Sequence, residues 1–457
     1  MASSDNQRVR QLSGQSAPLK PRCVLYLMSR DQRLHYNHAL SSAQARARAT
    51  NVPLIVAFAL YPTSTKRAEE QALFMLTGLE ELNRSLYDYG IPFVVRLGSA
   101  DAVYHQVCKD YQPAAVYFDM SPLTGPRGHQ QHLAETVNCP VYVVDAHNIV
   151  PVWQASDKQE YAARTIRPKL HRQLASFMDE PIALKRQDYL SKLIGSDKPD
   201  FKQLRQQLSY EPAHTQLAQV GGEQAAQAAL SNFIESRLKK YNEARNDPSQ
   251  NGLSALSPYL HFGQLSSQFV VAQVQLAVEK DNSLETAAEA YIEEVFVRRE
   301  LADNFCYYNQ DYMSLKGAPD WAQKTLQKHL EDEREHLYDL AAFRACKTHD
   351  PAWNAAQRQL IQTGKMHGYM RMYWAKKVLE WSESPEHALK YLIELNDFYS
   401  IDGGDPNGYV GVLWSVAGLH DRPWGERPVY GTVRSMSYNG LHRKFPIDDY
   451  ISQFPNN

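Results

Sequence analysis

The chain of 457 residues has no CxxC pair, and its five cysteines (Cys23, Cys108, Cys139, Cys306 and Cys346) are scattered and odd in number. A disulfide framework and a structural zinc tetrad are therefore not expected, and no metal site is assigned. The thiols read as reduced ones in an intracellular protein of the cytoplasm or nucleus, with an organelle left open. No apolar run approaches the ~18 residues of a helical membrane span, so no membrane association is expected. The first twenty residues, "MASSDNQRVRQLSGQSAPLK", lack the apolar middle of a signal peptide and read as a disordered leader over 1–20. Net charge is only -2, so a nucleic-acid site on this chain has to be a local basic patch and not a global field. Internal repeats and low-complexity tracts are missing as well. So is a G-x-G-x-x-G after the first strand-like segment, which removes the usual dinucleotide fingerprint.

What is present is an ordinary globular balance, with 43% hydrophobic and 22% charged residues, on a chain too long for one core. Short β-branched or aromatic runs at 23–28 ("CVLYLM"), 54–60 ("LIVAFAL"), 92–97, 114–120 and 141–147 read as strands. Between them lie segments of helical periodicity, such as 68–90, which stops at Gly90. This alternation predicts a parallel sheet with helices on both faces, a Rossmann-like α/β domain over 21–150. Residues 151–222 read as a connector with a basic helix over 156–174. From Glu223 to the C-terminus, 223–457, only amphipathic helices follow (223–245, 266–280, 283–308, 387–399), which predicts an all-α domain.

Five stretches carry candidate chemistry. "KYNEARNDPSQNGLSALSPYLHFGQLS" (240–266) offers small hydroxyls and free backbone N–H groups at a helix start, suited to phosphate or to plain Ser capping. "YIEEVFVRRELADNF" (291–305) places Glu293, Glu294, Arg298 and Arg299 at helical spacings. That is a solvated salt-bridged face unless Val295, Phe296 and Val297 force some of the charges into a pocket. "NDFYSIDGGDPNGYVGVLWSVAGLHDRPWGERP" (396–428) mixes acids with glycines but lacks the alternating acids and closing Glu of a calcium loop. "TVRSMSYNGLHRKF" (432–445) interleaves basic and aromatic residues, as a nucleic-acid backbone and an unstacked base require, or as a basic surface tail does. In "GKMHGYMRMYWAKKVLEW" (364–381), Trp374 and Trp381 lie two turns apart on nearly one face, which on its own suits two core knobs. A buried Arg371 there needs an acid, and Asp402 or Asp405 is available.

In their order along the chain, these stretches, "DAHNIVPVWQASDKQEYAARTIRPK" (145–169) and "KTHDPAWNAAQ" (347–357) resemble the class II cyclobutane pyrimidine dimer photolyases, from about Cys23 to Ile451. The resemblance implies an α/β Rossmann-like antenna domain and an all-α domain that holds a U-shaped FAD. It implies light-driven repair of cyclobutane pyrimidine dimers in double-stranded DNA, by electron transfer from excited reduced FAD to a flipped-out dimer. By motif, Tyr241, Leu253, Ser254, Leu256 and Ser257 are expected to cradle the FAD phosphates, with Arg298 and Asp405 also on the cofactor. Arg371 and Asp402 are expected to form a buried ion pair beside the flavin, and Asn396 to lie against its N5. Glu294 is expected to hydrogen-bond the dimer, Met372 and Trp414 to pack on its bases, and Arg422 and Arg434 to hold the lesion strand or fill the gap. Trp374, Trp353 and Trp381 are expected to relay electrons to oxidised FAD. The class I "MHNR" is replaced here by Met366, His367, Gly368 and Tyr369, and Val297 stands where class I carries its dimer-binding Trp. A deazaflavin-type antenna is allowed by the family, although no pocket for it is legible. A monomer is expected. The alternative on the same scaffold is a cryptochrome-like blue-light photoreceptor without repair activity, which often adds a long C-terminal tail, whereas this chain ends 12 residues after Phe445.

Overall fold

The computed structural model describes residues 7–188, 195–213, 217 and 219–455. Its α/β half runs β1 (Val9–Gln11), β2 (Cys23–Met28), α1 (His38–Ala49), β3 (Leu54–Leu60), α2 (Glu69–Asp88), β4 (Phe93–Leu97), α3 (Ala100–Tyr111), β5 (Pro113–Asp119), α4 (Thr124–Thr136) and β6 (Val141–Val144). Strands β2 and β3 are buried at every residue, as apolar runs covered on both faces must be. The strand order is β1-β6-β5-β2-β3-β4, parallel throughout except for β1, which pairs antiparallel with β6. Strand β1 corrects the expectation of a disordered leader over 1–20. Val9, Arg10 and Gln11 pair with Val144, Val143 and Tyr142, and Arg8 is buried, donating to the carbonyls of Asp145, Asn148 and Phe177. Residues 1–6 lie outside the described residues.

A doubly wound sheet of this order has its switch point between β2 and β5, where such sheets commonly bind a nucleotide phosphate. Here the site is filled from within. The Asp119 carboxylate at the end of β5 accepts the backbone N–H groups of Ser29, Arg30 and Asp31, at 2.8, 2.8 and 3.1 Å. The donors that would hold a phosphate are spent on a side chain, which accounts for the missing glycine fingerprint in structural terms.

The rim of that switch point docks on the helical half. Arg30 forms a bidentate pair with Asp303, at 2.6 and 2.9 Å. Asp31 joins Arg33 at 2.6 Å and His147 Nδ1 at 3.0 Å, while His147 Nε2 faces Arg299. The Glu300 carboxyl receives the N–H groups of Ile149 and Val150, and burial raises its pKa far above the carboxylate range.

The helical half contains α5 (Glu223–Ser236), α6 (Ser267–Lys280), α7 (Arg299–Tyr308), α8 (Pro351–Thr363), α9 (Gly368–Trp381), α10 (Pro385–Tyr399) and α11 (Pro406–Ala417). Two expected helices depart from regular α winding. The run 223–245 breaks at Arg237, whose guanidinium donates to the Leu253 carbonyl at 2.9 Å and draws the chain towards a cavity wall. The run 283–308 is continuous but widens into a π-helical turn over Glu293–Arg298. Such turns insert a residue and re-aim side chains, often at functional sites. Helices α8, α9, α10 and α11 enclose a second core in which Trp353, Tyr373 and Trp374 are wholly buried.

Candidate active site

Two of the cavities in the helical half gather the expected site residues. The larger, about 790 Å³, lies between the 253–257 segment and the helices α9 and α10. Tyr241, Leu253, Ser254, Leu256 and Ser257 line one wall, and Arg371, Asn396, Asp402 and Asp405 the other, so nine of the ten expected cofactor residues converge. The tenth, Arg298, does not. Its Nε donates to Glu293 at 3.0 Å, and it lines the smaller cavity.

The expected Arg371–Asp402 ion pair also needs correction. Arg371 donates to Asn396 Oδ1 (2.5 Å) and Ser400 Oγ (3.0 Å). Asp402 takes the Ser257 hydroxyl and lies 3.5 Å from Lys365 Nζ, a residue the sequence reading passed over. Burial pushes the Asp402 carboxyl up, yet Lys365 and Arg371 together hold it well below the usual range. Arg371 is thus an electrostatic neighbour of Asp402 and a hydrogen-bond partner of Asn396. Lys365 escaped notice because its register on "GKMH" says nothing about a partner 37 residues away. Asp405 caps α11 through the Asn407 N–H (2.9 Å) and pairs with His261 (3.0 Å), which holds its pKa well down despite burial.

Asn396 is held on both sides, accepting from Arg371 and donating to Asp397 Oδ1 at 3.1 Å. Gly408 faces it, and a Cβ there would come within 2.8 Å of Asn396 Nδ2, so glycine permits the approach of α11.

The smaller cavity, about 390 Å³, is lined by Met372, Trp374 and Trp414, with Glu294 and Arg298 from the π turn and His420 beyond α11. Glu294 is paired with Arg245 at 2.9 Å at the mouth. Glu294, Gly368, Arg371, Asn396, Asn407 and Gly408 line both cavities, so the two meet along this shared wall.

Arg422 and Arg434 line neither cavity. They flank exposed Trp424, with guanidinium carbons 5.4 and 4.8 Å from its ring centre. These two arginines therefore lie at the surface, around Trp424. Beneath Trp414, buried Lys376 places Nζ 4.7 Å from the ring centre and donates to the Ser415 carbonyl at 3.0 Å.

The three tryptophans expected to form a relay are brought together. Trp374 walls the smaller cavity and donates Nε1–H to Gln357 at 2.8 Å. Trp353, from α8, donates to the Trp374 carbonyl at 3.0 Å and packs on Trp381, ring centres 6.3 Å apart. Trp381 is itself buried, its edge against Tyr338.

The larger cavity fits a dinucleotide cofactor. Its volume falls within the ~300–1,000 Å³ of small-molecule sites. Lys365, Arg371, Ser254 and Ser257 supply cations and hydroxyls for anionic groups, and His367 also lines it. No helix of the described residues is long and apolar enough to cross a membrane.

A model of the DNA photolyase family matches residues 24–187. The deoxyribodipyrimidine photo-lyase of Potorous tridactylus is 42% identical over 454 residues, covering 98% of this chain and 84% of that protein. That of Arabidopsis thaliana is 42% identical over 440 residues, covering 94% and 88%. The one from Methanothermobacter thermautotrophicus is 39% identical over 450 residues, covering 98% of both. Among solved structures, a bacterial class III photolyase from Agrobacterium tumefaciens matches with a TM-score of 0.71 at 18% identity, covering 97% of this chain and 88% of that one. A cryptochrome from Synechocystis matches at 0.68 and 17%, covering 91% and 85%. At those identities the two structures speak for the fold alone.

Proposed function

The chain belongs to the DNA photolyase family, and we propose that its two cavities divide the work of light-driven repair of cyclobutane pyrimidine dimers in DNA. The larger takes FAD and the smaller takes the flipped-out dimer. The observation that carries this reading is the shared wall. Glu294, Arg371, Asn396 and Asn407 line both cavities, so a cofactor in one and a lesion in the other touch the same side chains.

Bound FAD supplies the light-driven electron. The chain's own residues bind, orient and exclude water. Ser254, Ser257 and Lys365 hold the anionic part of the cofactor, and Asp402 keeps Lys365 in place. Arg371 provides a buried positive charge beside the shared wall, which favours extra negative charge there. Asn396 is fixed by Arg371 and Asp397, and its Oδ1 can accept a second hydrogen bond, which we assign to retaining the proton at flavin N5. Glu294 hydrogen-bonds the dimer from the mouth of the smaller cavity, while Met372 and Trp414 cover its apolar surface. Trp374, Trp353 and Trp381 carry electrons inward when the flavin is oxidised. Trp424, between Arg422 and Arg434, meets the DNA strand at the surface. Gly368 and Tyr369 after His367 support assignment to class II. A deazaflavin-type antenna remains a family-level proposal with no residue attached to it. The cryptochrome alternative has only a shared fold in its favour, whereas relatives near 40% identity over almost the whole chain carry the lyase name.

The test is direct. The purified protein, loaded with FAD and reduced, is expected to remove cyclobutane dimers from an oligonucleotide under blue or near-UV light and to leave them in the dark. Dimers that persist under light while reduced FAD is bound would overturn the reading.

A further inference from the structure

Lysine 376 has no role in the account so far. It is wholly buried on α9, one turn beyond Met372 on the same helix face. Met372, Ala375 and Trp414 line the smaller cavity, whereas Lys376 does not. Its ammonium lies over the Trp414 ring, 4.7 Å from the ring centre, and donates to the Ser415 carbonyl at 3.0 Å. The indole thus stands at the cavity wall with a positive charge packed against it from within the protein.

A buried ammonium is costly unless a carboxylate meets it. Among the described residues none does. Asp421 and Arg434 act on Lys376 only through their fields, the first favouring its charge and the second opposing it. Tyr430 places its hydroxyl 2.9 Å from the Lys376 carbonyl and 3.0 Å from Glu380, and Glu380 pairs with Lys377. That phenol and that acid are therefore engaged away from the Lys376 ammonium. An apolar side chain of similar length would join α9 to α11 at lower cost, so holding the fold together does not account for a lysine here.

The neighbouring cavity does. A pyrimidine dimer enters it with uncharged bases and becomes negative when the transferred electron arrives. A fixed charge in a surrounding closed to water acts strongly on charge that develops beside it. We infer that Lys376 is an electrostatic residue of the repair step, whose ammonium acts across the Trp414 ring to favour the electron on the dimer held in the smaller cavity. It touches neither dimer nor cofactor and is not a catalytic residue. Its field hastens arrival of the electron and delays a premature return, and both raise the number of dimers split per photon. The electron comes from reduced FAD and goes back to it, so no further oxidant or reductant is consumed. The attraction between the ammonium and the ring face also steadies Trp414 against the lesion.

The inference rests on the dimer occupying the smaller cavity, and the two can fail separately. Parent and Lys376→Met are loaded with FAD and reduced chemically. Dimers split per absorbed photon at saturating DNA, and dark affinity for a dimer-containing oligonucleotide, are measured at pH 6 and pH 9. A parent that neither binds nor splits dimers overturns the assignment of the cavity, and the inference with it. Otherwise Lys376→Met is expected to split about half as many dimers per photon as the parent at pH 6, with the same dark affinity. Burial lowers the Lys376 pKa to about 7, so at pH 9 the parent has lost the charge as well and the two yields are expected to converge. Equal yields at pH 6 overturn the inference. So does a deficit that does not shrink at pH 9, which would mean that methionine merely misplaces Trp414. Should the variant not fold, the parent decides alone: its yield at saturating DNA is expected to fall from pH 6 to pH 9, and a constant yield overturns the inference.

Discussion

Lysine 376 sits beneath Trp414 with no acid in direct contact, which makes it the most instructive site for a stability measurement. It is completely buried. Its ammonium donates to the Ser415 carbonyl, one of the C-terminal carbonyls that α11 leaves without a helical partner, and lies against the Trp414 ring. Burial lowers its pKa from 10.5 to about 7, with Asp421 opposing the shift and Arg434 reinforcing it. At ~1.4 kcal/mol per pH unit, keeping this group protonated in the folded state costs on the order of 4–5 kcal/mol. The cost is present in full below pH 7, where both folded and unfolded chains carry the proton. It fades as pH rises from about 7 to 10.5, because the unfolded chain is then the only one still protonated there. Lys376→Met keeps the length and helix propensity but removes the charge. It also forfeits the bond to Ser415, worth about 1.5–3 kcal/mol when charged and about 1 kcal/mol when neutral. The expected result is a variant about 2 kcal/mol more stable than the parent at pH 6 and about 1 kcal/mol less stable near pH 10.5, with a crossing between. Urea unfolding of the two proteins side by side at both pH values, followed by tryptophan fluorescence, measures it. A variant less stable than the parent at pH 6, or a difference that does not change with pH, would refute the reasoning and mean that the ammonium is fully compensated inside the fold.

The tryptophan relay predicts that Trp374→Phe abolishes photoreduction of oxidised FAD while leaving repair intact once the flavin is reduced chemically. Equal photoreduction rates in variant and parent would remove Trp374 from the route. At the junction of the two halves, Asp303→Ala removes the buried partner of Arg30, whose side chain is 11% exposed, and takes a partner from Asn148. Breaking a buried pair of this kind is expected to cost about 3–5 kcal/mol, read as a lower urea midpoint. A loss under about 1 kcal/mol would show that water enters and solvates the arginine.

The elements that could be read in advance are those whose pattern is local. The strands Cys23–Met28 and Leu54–Leu60 have the bounds their apolar runs predict, because a strand covered on both faces has only apolar residues to show. The segment "GLSALS" was legible as a candidate phosphate cradle, and of the ten cofactor residues that the family resemblance implied the structure gathers nine around one cavity. What stayed hidden depends on partners distant in sequence. Nothing in "MSRD" announces that its backbone donors will be taken by Asp119, 88 to 90 residues away. The π turn is a one-residue misfit of helical winding, invisible to a periodicity count, yet it directs Glu294 and Arg298 to the smaller cavity. Arg371 and Asp402 looked like each other's partner because each needed one. The structure gives them different hydrogen-bond partners and leaves only their fields to interact. That separation has a consequence for the chemistry. An arginine paired with Asp402 would have its field offset at contact distance, whereas one held by neutral Asn396 and Ser400 keeps more of its positive field beside the shared wall.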